Sequence, residues 1–300
     1  VKIYEESLIQ EVRNQFLHYF EAKALEQIAR QSETELNDEV TIAKAKLKAG
    51  VLTNADLLRI EVAAANAQQQ EIVAHTQGDV ARATILIAIG VSPEDPVELV
   101  EPSALIAAAR GEIKSFSGAM NQAFKSRPEL LNAQLVVDSA RHQEKSRLIS
   151  LLPDVNLEGG YQRIDGQIFA PQNAAFIGIK ATWMIWDWGA TWYLAKAAQA
   201  QTEAAEQALL DKKANIGLQV ASELAQSNAA RSAVHLAEQS IESAQEAYRV
   251  TDALVKAGSA TTTDLLESQS ALNQARLNLV RAQYQLALAY VAIQHAIGSH

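Results

Sequence analysis

The sequence predicts a mainly α-helical chain interrupted by one β-hairpin, its long antiparallel coiled-coil helices arranged as two structural repeats. Three observations predict this class. The segment Lys48-Ala49-Gly50-Val51-Leu52-Thr53-Asn54-Ala55-Asp56-Leu57-Leu58 returns as Lys256-Ala257-Gly258-Ser259-Ala260-Thr261-Thr262-Thr263-Asp264-Leu265-Leu266, a shift of 208 positions (256 − 48). The same shift pairs Ala67 with Ala275, Ala74 with Ala282, Ala81 with Ala289, and Ile89-Gly90 with Ile297-Gly298, so the two halves read as copies of one unit. Alanine is abundant while aromatic residues are only 6%, which suits closely packed helices. Between Leu152 and Trp188, finally, the helical period gives way to strict alternation.

The elements follow in order. From Val1 to about Ala49 no proline interrupts a stretch rich in Glu, Lys, Ala and Leu, so one long helix is expected, ended by Gly50. Thr53 stands three residues before Asp56, a capping-box spacing that opens a second helix running to about Ile89. Pro93, Pro96 and Pro102 mark an extended linker, after which Ser103 is placed to cap the next helix. A break at Ser126-Arg127-Pro128 puts proline in the first turn of another helix that carries on to about Ser150.

In the alternating region, Val155, Leu157, Gly159 and Tyr161 are separated by polar or small residues. Beyond a polar turn around Asp165, Gly166 and Pro171, a second strand alternates Ile177, Ile179, Ala181, Trp183 and Ile185. Each strand is about ten residues long, with one apolar and one polar face. That pattern fits a strand crossing an outer membrane and equally a soluble hairpin lying on a helical core.

After Gly189 a proline-free helix runs to about Lys256, on the order of 100 Å at 1.5 Å per residue. In the last helix, Leu265, Leu272, Leu279, Leu286 and Ile293 recur every seventh position, as do Ser268, Ala275, Ala282, Ala289 and Ala296: a heptad seam with small residues along one side. The first copy keeps the alanine column at Ala67, Ala74, Ala81 and Ala88 but has Glu71 and Gly78 in the leucine column, so its exposed face is expected to differ. The expected organisation is a first-repeat helical pair at 1–90, a linker at 91–102, and a second repeat at 103–298. The second repeat comprises helices over 103–150, a hairpin over 152–188, and long helices over 189–256 and 261–297.

Composition narrows the function. A net charge of −9 and the lack of a basic stripe argue against nucleic acid. With no cysteine, disulfide frameworks and thiolate metal sites are excluded. His18, His75, His142, His235, His295 and His300 are scattered, without metal-ligand spacing, and read as surface residues of helices. Neither a phosphate-binding glycine loop nor a nucleophile elbow occurs. No enzyme, cofactor or metal is therefore expected.

Several motifs occur in a fixed order: Arg127-Pro128-Glu129-Leu130 opening a helix, Leu152-Pro153-Asp154 entering the first strand, Trp186-Asp187-Trp188-Gly189 leaving the second, and both Ala-Gly-x-x-Thr-x-x-Asp-Leu turns. In that order, around a helix-hairpin-helix repeat, they resemble the outer membrane efflux proteins, of which TolC is the best-known member. The resemblance implies a homotrimer in the Gram-negative outer membrane. Each protomer would give four strands to a shared β-barrel and long helices to a periplasmic α-barrel that docks an adaptor protein and an inner-membrane pump. This sequence has one hairpin where that plan has two, so the missing hairpin and its helix are expected upstream of Val1. The function implied is a passive exit duct for tripartite efflux or type I secretion. The competing expectation is a soluble coiled-coil scaffold without a transport role.

The resemblance also assigns sites. The two turns would form the periplasmic tip, with adaptor contacts at Gly50, Thr53, Leu57, Leu58, Gly258, Thr261, Leu265 and Leu266. Asp264, Glu267 and Asp56 would stand at the pore entrance, where three copies stacked as anionic rings attract cations and resist anions. Helix capping alone also explains both aspartates. An arginine that ties the tip shut in the family is replaced here by Ala260. Lys48 and Lys256 could substitute, though the helix dipole already favours lysine there. Val155, Leu157, Tyr161, Ile177, Ile179, Trp183 and Ile185 would face outer-membrane lipid. Trp183, Trp186, Trp188, Trp192 and Tyr193 suit either membrane-interface anchoring or core packing where strand meets helix.

Overall fold

The computed structural model describes residues 2–111, 115–163, 165 and 173–299. In chain order the elements are α1 (Lys2–Lys48), α2 (Asn54–Ala88), α3 (Ser103–Ala109), α4 (Phe116–Ser126), α5 (Pro128–Ile149), β1 (Asp154–Arg163), β2 (Asn173–Thr182), α6 (Ala190–Lys256) and α7 (Thr262–Ala296). The chain forms two compact units, Val1–Ser126 with Gly217–His300 and Arg127–Ile216. Packing thus cuts across the repeat halves, because α1 and α2 share their unit with α7.

The repeat is conformational as well as sequential. α2 and α7 are each 35 residues long, and their ends are related by the same 208-residue shift. Gly50 and Gly258, which close α1 and α6, have φ of 75° and 74°. An L side chain is disfavoured in that left-handed region, so glycine is what lets the chain reverse there. Thr53 and Thr261 then sit in extended backbone and accept a hydrogen bond from the N–H of Asp56 and Asp264. Only at Thr261 is the reciprocal capping box complete.

The α1–α2 interface follows a three-four seam on α2: Leu57, Ile60, Ala64, Ala67, Gly78 and Ile85 are all buried. Near the tip they meet Leu36 and Ala43 of α1, and Leu266 of α7 packs against both clusters. Farther along, Leu17, Phe20, Ile85, Val234, Tyr284 and Leu286 join one core. Burial pushes the Tyr284 phenol up to about 12, with Glu101 and Glu21 adding to the shift.

Three expectations need correction. Ser103 does not cap α3: the N-cap is Pro102, with no side-chain bond, and Ser103 is already the first helical residue. A single helix does not span 103–126, since α3 ends at Ala109 and α4 starts at Phe116. Glu71 and Gly78 do not alter an exposed face; they lie on the inward seam. Glu71 pairs with Arg30 of α1 at 3.6 Å, and a Cβ on Gly78 would stand 3.1 Å from the Glu26 carboxylate, so the glycine makes room for that acid. His75 reaches Glu26 of α1 at 2.9 Å, a partner no local spacing announces, and Asp79, one helical turn on, at 3.7 Å.

β1 and β2 form an antiparallel hairpin in which Val155 faces Ala181, Leu157 faces Ile179, Gly159 faces Ile177 and Tyr161 faces Ala175. The turn expected around Asp165, Gly166 and Pro171 lies outside the described residues except for Asp165. β2 ends at Thr182, so Trp183 and Ile185 follow the strand rather than belonging to it. The next helix is set by Asp187, whose carboxylate accepts from Gly189 N–H (3.1 Å), Thr191 N–H (2.6 Å) and the Thr191 hydroxyl. Those bonds, the Thr191 hydroxyl's first, hold the carboxyl below the usual range, and they satisfy amides that a helix start leaves open.

At Gly258 an added Cβ would meet nothing within 4 Å, so Gly258→Ala tests the backbone alone. The left-handed conformation should then cost roughly 1–2 kcal/mol. The expected result is a lowered unfolding temperature in a thermal melt, with Ser259→Ala unchanged beside it.

Candidate functional site: the paired tips and the hairpin

The two turns meet side by side. From α2, Arg59 Nη1 donates to Thr263 Oγ1 of α7 at 3.1 Å and lies 3.7 Å from Asp56 Oδ1. Arg59 therefore bridges the first tip to the second. Sequence reasoning missed it because it searched for the arginine at the aligned position in the other tip, Ala260. Spacing gave a signal nonetheless: Arg59 lies three residues after Asp56, on the same helical face. Lys256, one proposed substitute, is held locally by Asp252 at 2.7 Å. A cleft of about 560 Å³ opens between the tips, lined among others by Glu39, Lys46, Asp56, Arg59, Lys256 and Thr261.

The acidic candidates separate by environment. Asp56 is half-buried and doubly engaged: its Oδ2 accepts from the Thr53 hydroxyl at 2.6 Å and its Oδ1 faces Arg59. That leaves it poorly suited to project charge. Asp264 is exposed although it caps α7, its Oδ2 accepting from Thr261 N–H at 2.8 Å and the Thr261 hydroxyl at 2.7 Å. These bonds, the backbone one foremost, hold the Asp264 carboxyl below the ordinary carboxylate range. It is a fixed, ionised, solvent-facing charge. Glu267 is exposed one turn farther on. Capping and a pore-facing charge are therefore compatible at Asp264.

The expected adaptor contacts divide in the same way. Leu57 and Leu265 are buried at 8% and 4% exposure, and Leu266 is half-buried in the tip core. Helical phase turns them inward, where they support the tip. Gly50, Thr53, Leu58, Gly258 and Thr261 are exposed, and Val51, which the sequence reading passed over, is 77% exposed.

In the hairpin, Val155, Leu157, Tyr161, Ile177 and Ile179 lie on one face and are 63–80% exposed. On the opposite face Lys180 pairs with Glu158 at 3.4 Å, and the Phe176 ring covers Gly160. Tyr161 donates its hydroxyl proton to Asn173 at 2.8 Å at the end of the apolar face. Trp183, Trp186, Trp188, Trp192 and Tyr193 are 50–86% exposed, so they are not a core, and Trp183 Nε1 donates to Leu151 O at 3.2 Å. No described helix is long and apolar enough to cross a membrane. Among the described residues no His, Cys, Asp and Glu gather as a metal site.

Comparison with known proteins agrees with this geometry. A family model described as outer membrane efflux protein matches residues 119–299. The outer membrane efflux protein BepC of Brucella suis biovar 1 (strain 1330) is 27% identical over 286 residues, covering 93% of this chain and 61% of that protein. The chain thus spans about three-fifths of that relative's length. Among solved structures, CusC superposes with a TM-score of 0.84 at 15% identity, covering 98% of this chain and 69% of that one. The outer membrane protein VceC of Vibrio cholerae gives 0.80 at 17% identity, covering 98% and 70%. At these identities the structural likeness establishes the fold.

The Asp264 cap carries a pH dependence. Its carboxyl ionises below its unfolded counterpart, so its contribution is complete above the unfolded pKa of about 4 and is lost as pH falls through the lower folded value. Unfolding temperatures measured from pH 6 to 2 should fall less steeply below about pH 4 for Asp264→Asn than for the wild type.

Proposed function

The chain belongs to the outer membrane efflux protein family, and we propose that the protein of which it is part is a passive exit duct across the Gram-negative outer membrane. It would serve tripartite efflux or type I secretion as a homotrimer joined through a periplasmic adaptor to an inner-membrane pump. The observation that carries this reading is the hairpin: two ten-residue strands that gather Val155, Leu157, Tyr161, Ile177 and Ile179 on one exposed face and leave Phe176 among small and polar residues on the other. A soluble hairpin would cover that face, whereas lipid rewards leaving it bare. Trp183, Trp186 and Trp188, just past β2, then suit the headgroup zone, where indoles favour a half-polar setting.

In this reading the tips form the periplasmic entrance. Asp264 and Glu267 supply the anionic rings, Asp56 serves the internal bridge, and Gly50, Val51, Thr53, Leu58, Gly258 and Thr261 offer the adaptor-facing surface. The duct performs no chemistry of its own, and transport is driven by the pump. A soluble coiled-coil scaffold, the second reading, is favoured by no observation that the duct leaves unexplained.

Two experiments on the full-length protein test this. An arginine near the bilayer midplane of a barrel strand costs roughly 2–4 kcal/mol. Ile179→Arg should therefore deplete the protein from the outer-membrane fraction while Gly178→Arg, on the opposite face, does not; equal assembly of both would overturn the lipid-facing assignment. Arg59→Ala removes the bridge to Thr263 and should raise single-channel conductance in planar bilayers. An unchanged conductance would show that the bridge does not hold the entrance.

A further inference from the structure

A cleft of about 340 Å³ is walled by α1, by α7 and by residues 98–101 of the linker between α2 and α3. Part of its lining is aromatic core: Phe20 is 6% and Tyr284 4% exposed, and Leu99 packs against the same cluster. The linker wall is fixed in place by Arg82 of α2, whose guanidinium donates to the carbonyls of Pro93 at 2.9 Å, Asp95 at 3.0 Å and Val97 at 3.3 Å. The cleft is therefore built rather than incidental. Its polar groups are nonetheless left without partners. The Tyr284 hydroxyl has no hydrogen bond among the described residues, yet its oxygen is not sealed in, so it opens to the cleft. A hydroxyl that deep is normally bonded. Glu98 and Glu101 are exposed and unpaired among the described residues. Lys23, the one basic residue of the lining, forms no ion pair there either, and its ammonium lies 6.0 Å from the centre of the Tyr19 ring. Acid thus outweighs base around the cleft, and the phenol registers it: after burial, Glu101 and Glu21 are what push its pKa up.

We propose that this cleft binds a small organic cation, a protonated amine carrying an apolar body. Its ammonium group is held by the Glu98 and Glu101 carboxylates and the Tyr284 oxygen, and its body lies against Phe20 and Leu99. The match is one of chemistry. An ammonium has three donors and no acceptor, which suits two carboxylates and a hydroxyl oxygen. Aromatic rings beside it add cation–π attraction. An anion would meet both carboxylates, and a neutral polyol would leave them without a counter-charge. Size points the same way, because the cleft stands at the lower end of the range of about 300–1,000 Å³ for small-molecule sites. It admits a single-ring amine but not a helix of another protein. The cleft between the tips is lined by other residues, so this site is separate from it and does not depend on the duct reading.

The test uses the full-length protein with phenethylamine, protonated at neutral pH, and phenethyl alcohol as its uncharged analogue, each titrated by ligand-observed NMR. The amine is expected to bind and the alcohol to bind more weakly. Glu98→Gln combined with Glu101→Gln should weaken the amine by about tenfold. Tyr284→Phe, which keeps the ring and removes the hydroxyl, should weaken it by about fivefold. Glu94→Gln, in the same linker but outside the cleft, should bind as the wild type does. Equal affinity for amine and alcohol would overturn the cation assignment. Amine binding that survives the paired glutamate substitutions would place the cation elsewhere on the protein and overturn the site, as would no binding at all to protein that melts cooperatively. Tyr284 belongs to the core, so should Tyr284→Phe fail to fold, the exposed glutamate pair decides the outcome.

Discussion

Lateral packing through small side chains is the constraint on which the helical unit depends. α6 alone is 67 residues long, on the order of 100 Å, and no thick core can be built around such a rod. Stability must instead come from narrow contacts that run along the helices. Ala43 of α1, Ala64 and Ala67 of α2, and Ala275, Ala287 and Ala289 of α7 are all buried, and they let backbones approach closely. Larger side chains appear at intervals as knobs: Leu17, Ile60, Ile85 and Leu286, all at 3% exposure or less. Ion pairs close the margins, Lys44 with Glu61 at 3.1 Å and Arg276 with Glu35 at 3.2 Å. The Lys44–Glu61 pair, about half in solvent, contributes at most about 1 kcal/mol, and the Arg276–Glu35 pair is the less exposed of the two. Because each seam uses only part of a helix surface, the rest stays exposed.

The two tips show how one repeated design acquires unequal duties. Both copies keep the positive-φ glycine and the threonine cap, since the reversal of direction requires them. What changes is the carboxylate. In the second copy Asp264 completes the capping box and faces solvent, while in the first Asp56 turns partly inward toward Arg59. One aspartate is thereby available as field and the other as anchor. Arg59 makes the difference, and it does so from the first tip although the resemblance points to the second.

Much of this was legible in the sequence. The 208-residue shift located both turns, both caps and the ends of α2 and α7, because glycine and threonine are demanded by local backbone geometry that no distant contact can override. The apolar face of the hairpin was legible for a similar reason: a period of two admits only two faces. What escaped depends on phase and on partners far away in the chain. Leu57 and Leu58 are adjacent and alike in composition, yet one is buried and the other exposed because the helix turns by 100° between them. Arg59 finds Thr263 across more than 200 residues, and His75 finds Glu26 across 49. No local pattern encodes those meetings. The end of β2 was overrun because Trp183 and Ile185 continue the alternation after the backbone has left the ladder at Thr182.

The seam of α2 carries one last distinction between the copies. Where α7 places Leu279 and Leu286, α2 places Glu71 and Gly78, and the space is filled by Glu26 and Arg30 of α1 together with His75. Leu286 is buried and Leu279 half-buried; a fully buried leucine contributes about 1.5–3 kcal/mol, against roughly 0.2–1 kcal/mol for a solvent-exposed ion pair. Arg30 and His75 have more than half of their side-chain surface in water, so the lower figure applies. The middle of the α1–α2 contact is therefore softer than the corresponding stretch of α7, while Ile85 and the Leu57–Ile60 cluster secure its two ends.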